Sequence, residues 1–411
     1  MKINLGLYMN AKRGYNGSGA LNSYAVRNIE QLLKLRDRVN NPLSHLNVEI
    51  TLARDREEHR RPTLDGMDTT TEIHWKGAYE FDPLKIAGNR ITGPVGDRVR
   101  GSTAKLLTST ALESFIIKLR NRDPGAENVL VLWGHADGPR GFLFSLVSER
   151  GNTFPRDILA PKEVDEALAK SSAGLPRLRF ICMDACQGAC LEFASVLVPY
   201  ADYFIASQTP VPGSGWSYDS WPGILNNSTA ENWQVTAEEI ANDFAINNPF
   251  NTSISVIRLK DIDTVLQQLK VITLQFLGDA EARTQLLAAR LAVPTYDKNL
   301  MGLVDLAALF DGAAMRLQSV SLGGACRELA NTMRSAIVCS RVSKDLNDRC
   351  PMSGCSIFFP TDTSAYGKPW DEITQRTYFE NPAQLALFKS TRWHELLKLL
   401  VTESINRPPP P

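Results

Sequence analysis

Histidine is scarce in this chain: His45, His59, His74, His135 and His394 are the only five among 411 residues. Chemistry that needs an imidazole therefore has few positions to use. An excess of either charge is also missing. The 45 basic and 45 acidic side chains cancel, so nothing draws the chain to nucleic acid or to an anionic membrane. No apolar run is long enough to span a bilayer. No secretory leader is expected either: MKINLGLYMN carries one Lys, and Asn4 interrupts its short apolar run, which suits a first strand. Seven cysteines without a leader point to reduced thiols in a cytoplasm. Internal repeats are absent.

Two motifs fall short of a ligand site. Gly17-Ser18-Gly19 follows the first strand, but a dinucleotide loop wants a third glycine and an acid about twenty residues on. Asn22 stands at the third glycine position, and the stretch reads as a plain loop. Cys182, Cys186 and Cys190 recur at four-residue spacing. A strand running into a helix does not converge three such ligands tetrahedrally, and no histidine-rich stretch lies near, so no metal is expected.

What the chain does have is a globular composition, with 43% hydrophobic and 22% charged residues, and a series of short apolar runs. Strands are expected over residues 3–9, 46–52, 128–133, 141–147, 203–207, 253–259 and 356–359, and within the run that ends at Cys186. Helices are expected after residue 21 and over 103–120, 162–169, 187–198, 236–246 and 381–401. Residues 56–100 read as a long insertion, and helices dominate from about 263 to 340. A boundary near residue 262 then separates an α/β domain, 1–262, from a mainly helical one, 263–411.

Two runs end on reactive side chains. Residues 129–133 lead into Gly134-His135, and residues 180–183 lead into Asp184-Ala185-Cys186. Apolar runs without alternation are strands covered on both faces. Each follows a helical pattern, so the two lie parallel in one sheet. Ligands bind outside the carboxyl ends of such strands, which brings His135 and Cys186 side by side. The helix expected at 187–198 starts beside Cys186, where its N–H groups and dipole favour a thiolate. The competing reading is a buried structural thiol. Cys190 is the next candidate thiol, and Cys182 belongs to the core. Asp184 shares a strand face with Cys186. It either meets a basic group of a substrate or caps the following helix.

WGH followed downstream by an apolar strand ending in MDAC resembles the clostripain-like cysteine peptidases, relatives of caspases, gingipains and separase. LYMNA at residues 7–11 is similar to that family's opening, and SQTPVPGSGWSYD at 207–219 to its post-cysteine loop. VDLAALF at 304–310 and the stretch from GCSIFFP to residue 400 are similar to its C-terminal part. The resemblance implies a caspase-like three-layer α/β sandwich with a mostly parallel sheet and a mainly helical C-terminal extension. It implies a cysteine endopeptidase that cuts protein or peptide substrates after Arg or Lys through a Cys186–His135 dyad.

Further roles come with that resemblance. Asp184 would pair with the basic side chain before the cut. Ser207-Gln208-Thr209 is less acidic than the corresponding family loop, which leaves Asp219 as the nearest replacement acid. Trp216 and Tyr218 either form apolar walls of that pocket or belong to the core. The backbone N–H groups of Ala136, where the family usually has glycine, and of Cys186 would hold the oxyanion. No organic cofactor is implied, and calcium is the one ion the resemblance admits. SERGN, residues 148–152, lies between the two strands and is either a plain surface turn or, as the resemblance implies, a site of self-cleavage after Arg150, with Arg140 and Arg156 as lesser sites. The methyl group of Ala136 and the Gln208 loop motivate a second expectation: a catalytically weak or inactive scaffold or regulatory binding protein of the same fold. No nucleic-acid or membrane partner is expected, and the oligomeric state stays open.

Overall fold

Apolar runs that do not alternate become strands with helices on both faces. A computed structural model of the protein describes residues 1–12, 21–54, 77–91, 96–99, 106–136, 138–149, 152–294, 302–350, 352–360 and 386–405. Its strands are β1 (Ile3–Asn10), β2 (Leu46–Arg54), β3 (Gly77–Phe81), β4 (Asp97–Arg98), β5 (Glu127–Gly134), β6 (Phe142–Glu149) and β7 (Asn152–Leu159), then β8 (Leu178–Asp184), β9 (Ala201–Ala206), β10 (Ser253–Arg258), β11 (Leu303–Asp305), β12 (Ile337–Val342) and β13 (Ser356–Phe358). Among the described residues nine of these form one sheet, in the order β12-β10-β9-β8-β5-β1-β2-β3-β4. The middle of the sheet, from β9 to β2, is parallel. Antiparallel strands extend it at both ends. This is the mostly parallel α/β sandwich that was expected.

Side chains alternate along each strand, and here both sets are apolar. Val129, Val131 and Trp133 of β5, with Phe180 and Cys182 of β8, enter one core cluster. Leu130, Leu132, Ile181 and Met183 enter the other. The first cluster is covered by α1 (Asn22–Arg36), α5 (Trp221–Asn226) and α6 (Trp233–Asn247). The second packs against α2 (Ser109–Arg122), α3 (Pro161–Ser172), α4 (Leu191–Leu197), α7 (Ile262–Gly278) and α8 (Ala280–Ala292). It continues through α9 (Leu306–Arg316), α10 (Val320–Ala336), α12 (Ala386–Thr391) and α13 (Trp393–Ile405). A short helix α11 (Lys344–Asn347) follows β12.

Several boundaries differ from the sequence reading for local reasons. Helix α2 starts at Ser109 rather than 103, because extended Thr108 caps it by accepting the Ala111 N–H at 3.2 Å. Residues 337–342 form β12 instead of continuing a helix, and they pair antiparallel with β10. The central sheet therefore crosses the sequence boundary near residue 262, and one apolar cluster runs through both sides of it. The final helical stretch breaks at Arg392, whose φ is +58°. Strand β7 was not expected, and it makes a separate hairpin with β6.

Candidate active site

The site begins with a register. Strands β5 and β8 are parallel neighbours, and Trp133 lies opposite Asp184. Adjacent strands run about 4.8 Å apart. Two residues beyond that pair stand His135 on one strand and Cys186 on the other. Both leave the sheet at its carboxyl edge, and both are half-buried. Gly134 has φ +150°, a conformation that side-chain-bearing residues avoid. It lets the chain turn out of β5 at the histidine. Ala136 then makes an isolated antiparallel bridge with Phe142 at the base of the β6–β7 hairpin.

Cys186 does not sit at a helix N-terminus. Helix α4 begins only at Leu191, and Gln187 in between has φ +55°. The expected helix over 187–198 is thus too long at its start, and the dipole support expected for the thiolate is not in place. Another group faces the sulfur instead. The Val211 N–H donates to Cys186 Sγ at 3.4 Å, and the thiol reaches the Val211 carbonyl at 3.8 Å. The two contacts act in opposite senses: an N–H donor suits a thiolate, and a carbonyl acceptor suits the protonated thiol.

The other cysteines are poor nucleophiles. None of the seven is in a disulfide. Cys190 is fully buried at the start of α4, and burial first, then the charge of Glu192, pushes its thiol well above the usual range. Cys182 is also fully buried and is raised by burial and by Asp184. That leaves Cys186 as the candidate thiol.

Asp184 follows Phe180 and Cys182 on the face that α1 and α6 cover. It is 3% exposed. Burial pushes its carboxyl up to about 7, against hydrogen bonds from the Trp216 N–H and the Tyr218 hydroxyl that favour ionisation. Both donate to Oδ2, at 3.1 and 3.2 Å. The buried Oδ1 accepts no hydrogen bond. Gly215, at φ +65°, packs directly on this carboxyl: a methyl group there would come within 2.6 Å of Oδ2. The acid faces the post-cysteine loop rather than capping α4.

In that loop the two aromatic residues take the core alternative. Trp216 and Tyr218 are 2% and 0% exposed, and both rings stack edge-on against Trp221. They support Asp184 through one backbone N–H and one hydroxyl instead of walling an open pocket with their rings. Asp219 is half-buried near Asp243 of α6. Burial and then the charge of Asp219 raise the Asp243 carboxyl. Gln208 points away from the thiol and is 4% exposed. Arg150 lies outside the described residues. The backbones of Arg140 and Arg156 lie in a turn before β6 and in β7.

Val211 and Asn28 were missed by the sequence reading. The Asn28 carbonyl oxygen accepts Trp133 Nε1–H at 3.1 Å, and its amide donates to the Ser214 carbonyl at 2.9 Å. It thereby ties the histidine strand to the loop over Asp184. A signal for Asn28 existed: it is a polar residue between Tyr24 and Leu32 on the apolar stripe of α1. No sequence signal marks Val211. Among the described residues no three acidic, histidine or cysteine side chains gather to hold a metal ion, so no step below runs through calcium. No helix of the described residues is long and apolar enough to cross a membrane.

Solved structures share this architecture. One is a secreted C11 cysteine protease from Bacteroides thetaiotaomicron in complex with an irreversible peptide inhibitor. It is 15% identical, covers 95% of this chain and 99% of its own, and has a TM-score of 0.61. An inactive zymogen C11 protease from Parabacteroides distasonis is 19% identical over 95% of this chain and 97% of its own, with a TM-score of 0.57. At such identities the likeness is one of fold. No match is found among the curated proteins. The sequence itself matches the model of the clostripain family over residues 97–399. That match spans β5 and β8, the loop after Cys186 and most of the C-terminal helices, and the chain belongs to the clostripain family of cysteine peptidases.

Proposed function

We propose that this chain is an endopeptidase that hydrolyses peptide bonds after Arg or Lys, with Cys186 as nucleophile and His135 as general acid and base. The observation that carries the reading is the register: Trp133 opposite Asp184, with His135 and Cys186 two residues beyond on neighbouring parallel strands. His135 takes the thiol proton, Cys186 Sγ attacks the scissile carbonyl, and the N–H groups of Ala136 and Cys186 hold the resulting oxyanion. His135 gives its proton to the leaving amine, and the C–N bond breaks to leave a thioester. Water then attacks the thioester while His135 takes its proton, which releases the acid and restores the thiol.

Asp184 is the acid that would receive the basic side chain, and its unpartnered buried Oδ1 supports this assignment. Trp216 and Tyr218 hold Oδ2 and leave the other oxygen for a guanidinium or ammonium group. Asp219 is a more distant acid of the same loop. The chemistry needs no organic cofactor, and the substrate is a peptide or a protein segment. Self-cleavage after Arg150 opens the substrate site. The reason to expect a closed form is that Asp184 is covered. The same covering supports the second reading, an inactive scaffold of this fold. The cytoplasm is the proposed compartment, on seven cysteines outside disulfides, and fractionation of the producing cell tests it.

The deciding experiment is labelling of the intact and the self-processed protein with an arginyl electrophile, followed by peptide mapping. The expected result is one modified thiol, Cys186, with an aspartyl electrophile inert. Modification at Cys190, or equal labelling by both reagents, overturns the assignment. No labelling in either form favours the scaffold.

A further inference from the structure

Gln208 was expected to belong to the substrate side of the post-cysteine loop, yet its side chain is buried and fully engaged elsewhere. Its amide Nε2 donates to Asp305 Oδ2 at 3.2 Å and to Ser356 Oγ at 3.0 Å, and its Oε1 accepts the Gly354 N–H at 2.8 Å. Asp305 ends β11 and Ser356 begins β13, two strands that pair with each other far along the chain. Asp305 is itself fixed. It accepts the Ala308 N–H at 2.9 Å as the cap of α9, and the Ser353 N–H at 2.6 Å.

The loop that carries Gln208 also carries the groups nearest the nucleophile. The Thr209 carbonyl accepts the Gln187 N–H and the Ser207 carbonyl accepts the Ala189 N–H, both at 2.9 Å. Val211, three residues past Gln208, donates to Cys186 Sγ. From the other side, the Ser356 N–H donates to the Ala189 carbonyl at 2.9 Å. The nucleophile turn, 186–190, is therefore held between the Gln208 loop and β13, and the Gln208 amide closes the ring between those two supports.

We propose that Gln208 and Asp305 are positioning residues that set the Val211 N–H against the Cys186 sulfur, so that the β11–β13 pair governs the reactivity of the thiol. The proposal rests on Cys186 being the nucleophile. The loop stays tied to β10 through Ser253, whose N–H donates to Thr209 Oγ1 at 2.9 Å and whose Oγ accepts the Gln208 N–H at 3.1 Å. Losing the β11 and β13 contacts lets its Val211 end shift on that anchor, and a sulfur whose donor moves away holds its proton more tightly. Removing Gln208 also strands buried donors and acceptors on the far strands, so stability falls as well. A purely structural role would lower stability and leave the thiol of the folded protein unchanged.

The test is the pH dependence of Cys186 alkylation by iodoacetamide, read by mass spectrometry, for the wild type, Gln208→Ala, Gln208→Glu, Asp305→Asn and the double variant Gln208→Glu with Asp305→Asn. In the double variant an amide faces a carboxylate again with donor and acceptor exchanged. Gln208→Ala and Asp305→Asn should each move the alkylation midpoint upward by about one pH unit. Each should lower kcat on an arginyl reporter peptide about tenfold, the effect of one lost hydrogen bond to a charged atom, with KM within about twofold. The double variant should recover most of both. Midpoints equal to wild type in any folded single variant overturn the proposal, and so does a double variant no better than Gln208→Glu alone. If Gln208→Ala does not fold, Asp305→Asn and the double variant decide by the same two readouts. The alkylation midpoint does not depend on hydrolysis. A wild type that cleaves nothing but shows the predicted midpoint shifts sinks the peptidase reading alone. A wild type that cleaves through Cys186 while the midpoints stay fixed sinks the clamp alone.

Discussion

Cys186 and Cys190 are four residues apart and differ in every respect that matters for a nucleophile. Cys186 is half-buried with a backbone donor on its sulfur. Cys190 is fully buried with its thiol held protonated. Cys186→Ala should abolish hydrolysis and change stability by less than about 1 kcal/mol, since it empties no core space. Cys190→Ala should cost about 1 kcal/mol for the buried atom it removes and should keep most of the activity. Paired melts and rates on an arginyl peptide check both, and an active Cys186→Ala variant would disprove the assignment. Asp184 offers a second test, because its carboxyl is pushed up to about 7 by burial. The folded protein binds that proton more tightly than the unfolded chain does, so stability falls as pH rises from about 4 to about 7 and then levels off. Neutral Asp184→Asn should therefore melt higher than wild type at pH 8 and nearly equal to it at about pH 4 or below. For wild type, kcat/KM on Arg or Lys peptides should rise with pH through about 7 as the acid ionises, whereas Asp184→Asn should lose those peptides selectively. A variant that melts lower at pH 8, or keeps its preference for basic residues, contradicts the pocket role.

Among the elements, the β6–β7 hairpin stands apart from the main sheet and falls between β5 and β8 in the sequence. Arg150 falls in the connection between its strands. Arg150→Ala should prevent or slow the appearance of a new N-terminus at Gly151 on incubation, with or without calcium, and should lower activity in parallel. Unchanged processing and activity would remove the hairpin from the account. Legibility in the sequence varied element by element. Strands β5 and β8 were readable because burial on both faces demands an unbroken apolar run, and the abrupt ends of those runs displayed His135 and Cys186. Strand β7 was not readable, since Pro155 argues against a strand. It is tolerated because β7 belongs to a two-stranded hairpin with an open edge. The turn from Gln187 to Ala189 was hidden by the helix pattern that follows it. The polar ring around Gln208 was hidden for another reason: its partners lie about 100 to 150 residues away, and no local pattern records such a contact.

At the scale of the molecule, the sheet and its cores bind the two halves of the chain together. Strand β12 closes one end of the main sheet, and residues of α7 to α10 share an apolar cluster with β5 and β8. A chain cut after residue 262 should therefore not fold on its own. It should aggregate or lack a cooperative melt, as gel filtration and calorimetry can show. A monomeric fragment 1–262 with a sharp transition would establish two independent domains.

The distance along the chain between Cys186 and its supports also has a consequence in time. A ribosome makes the nucleophile long before it makes β11, and β13 comes later still. During that interval the growing chain carries a thiol whose loop can reach β10 but neither β11 nor β13. On the clamp proposed above, the thiol is not fully set until β13 has been made, and a product of premature termination lacks that support.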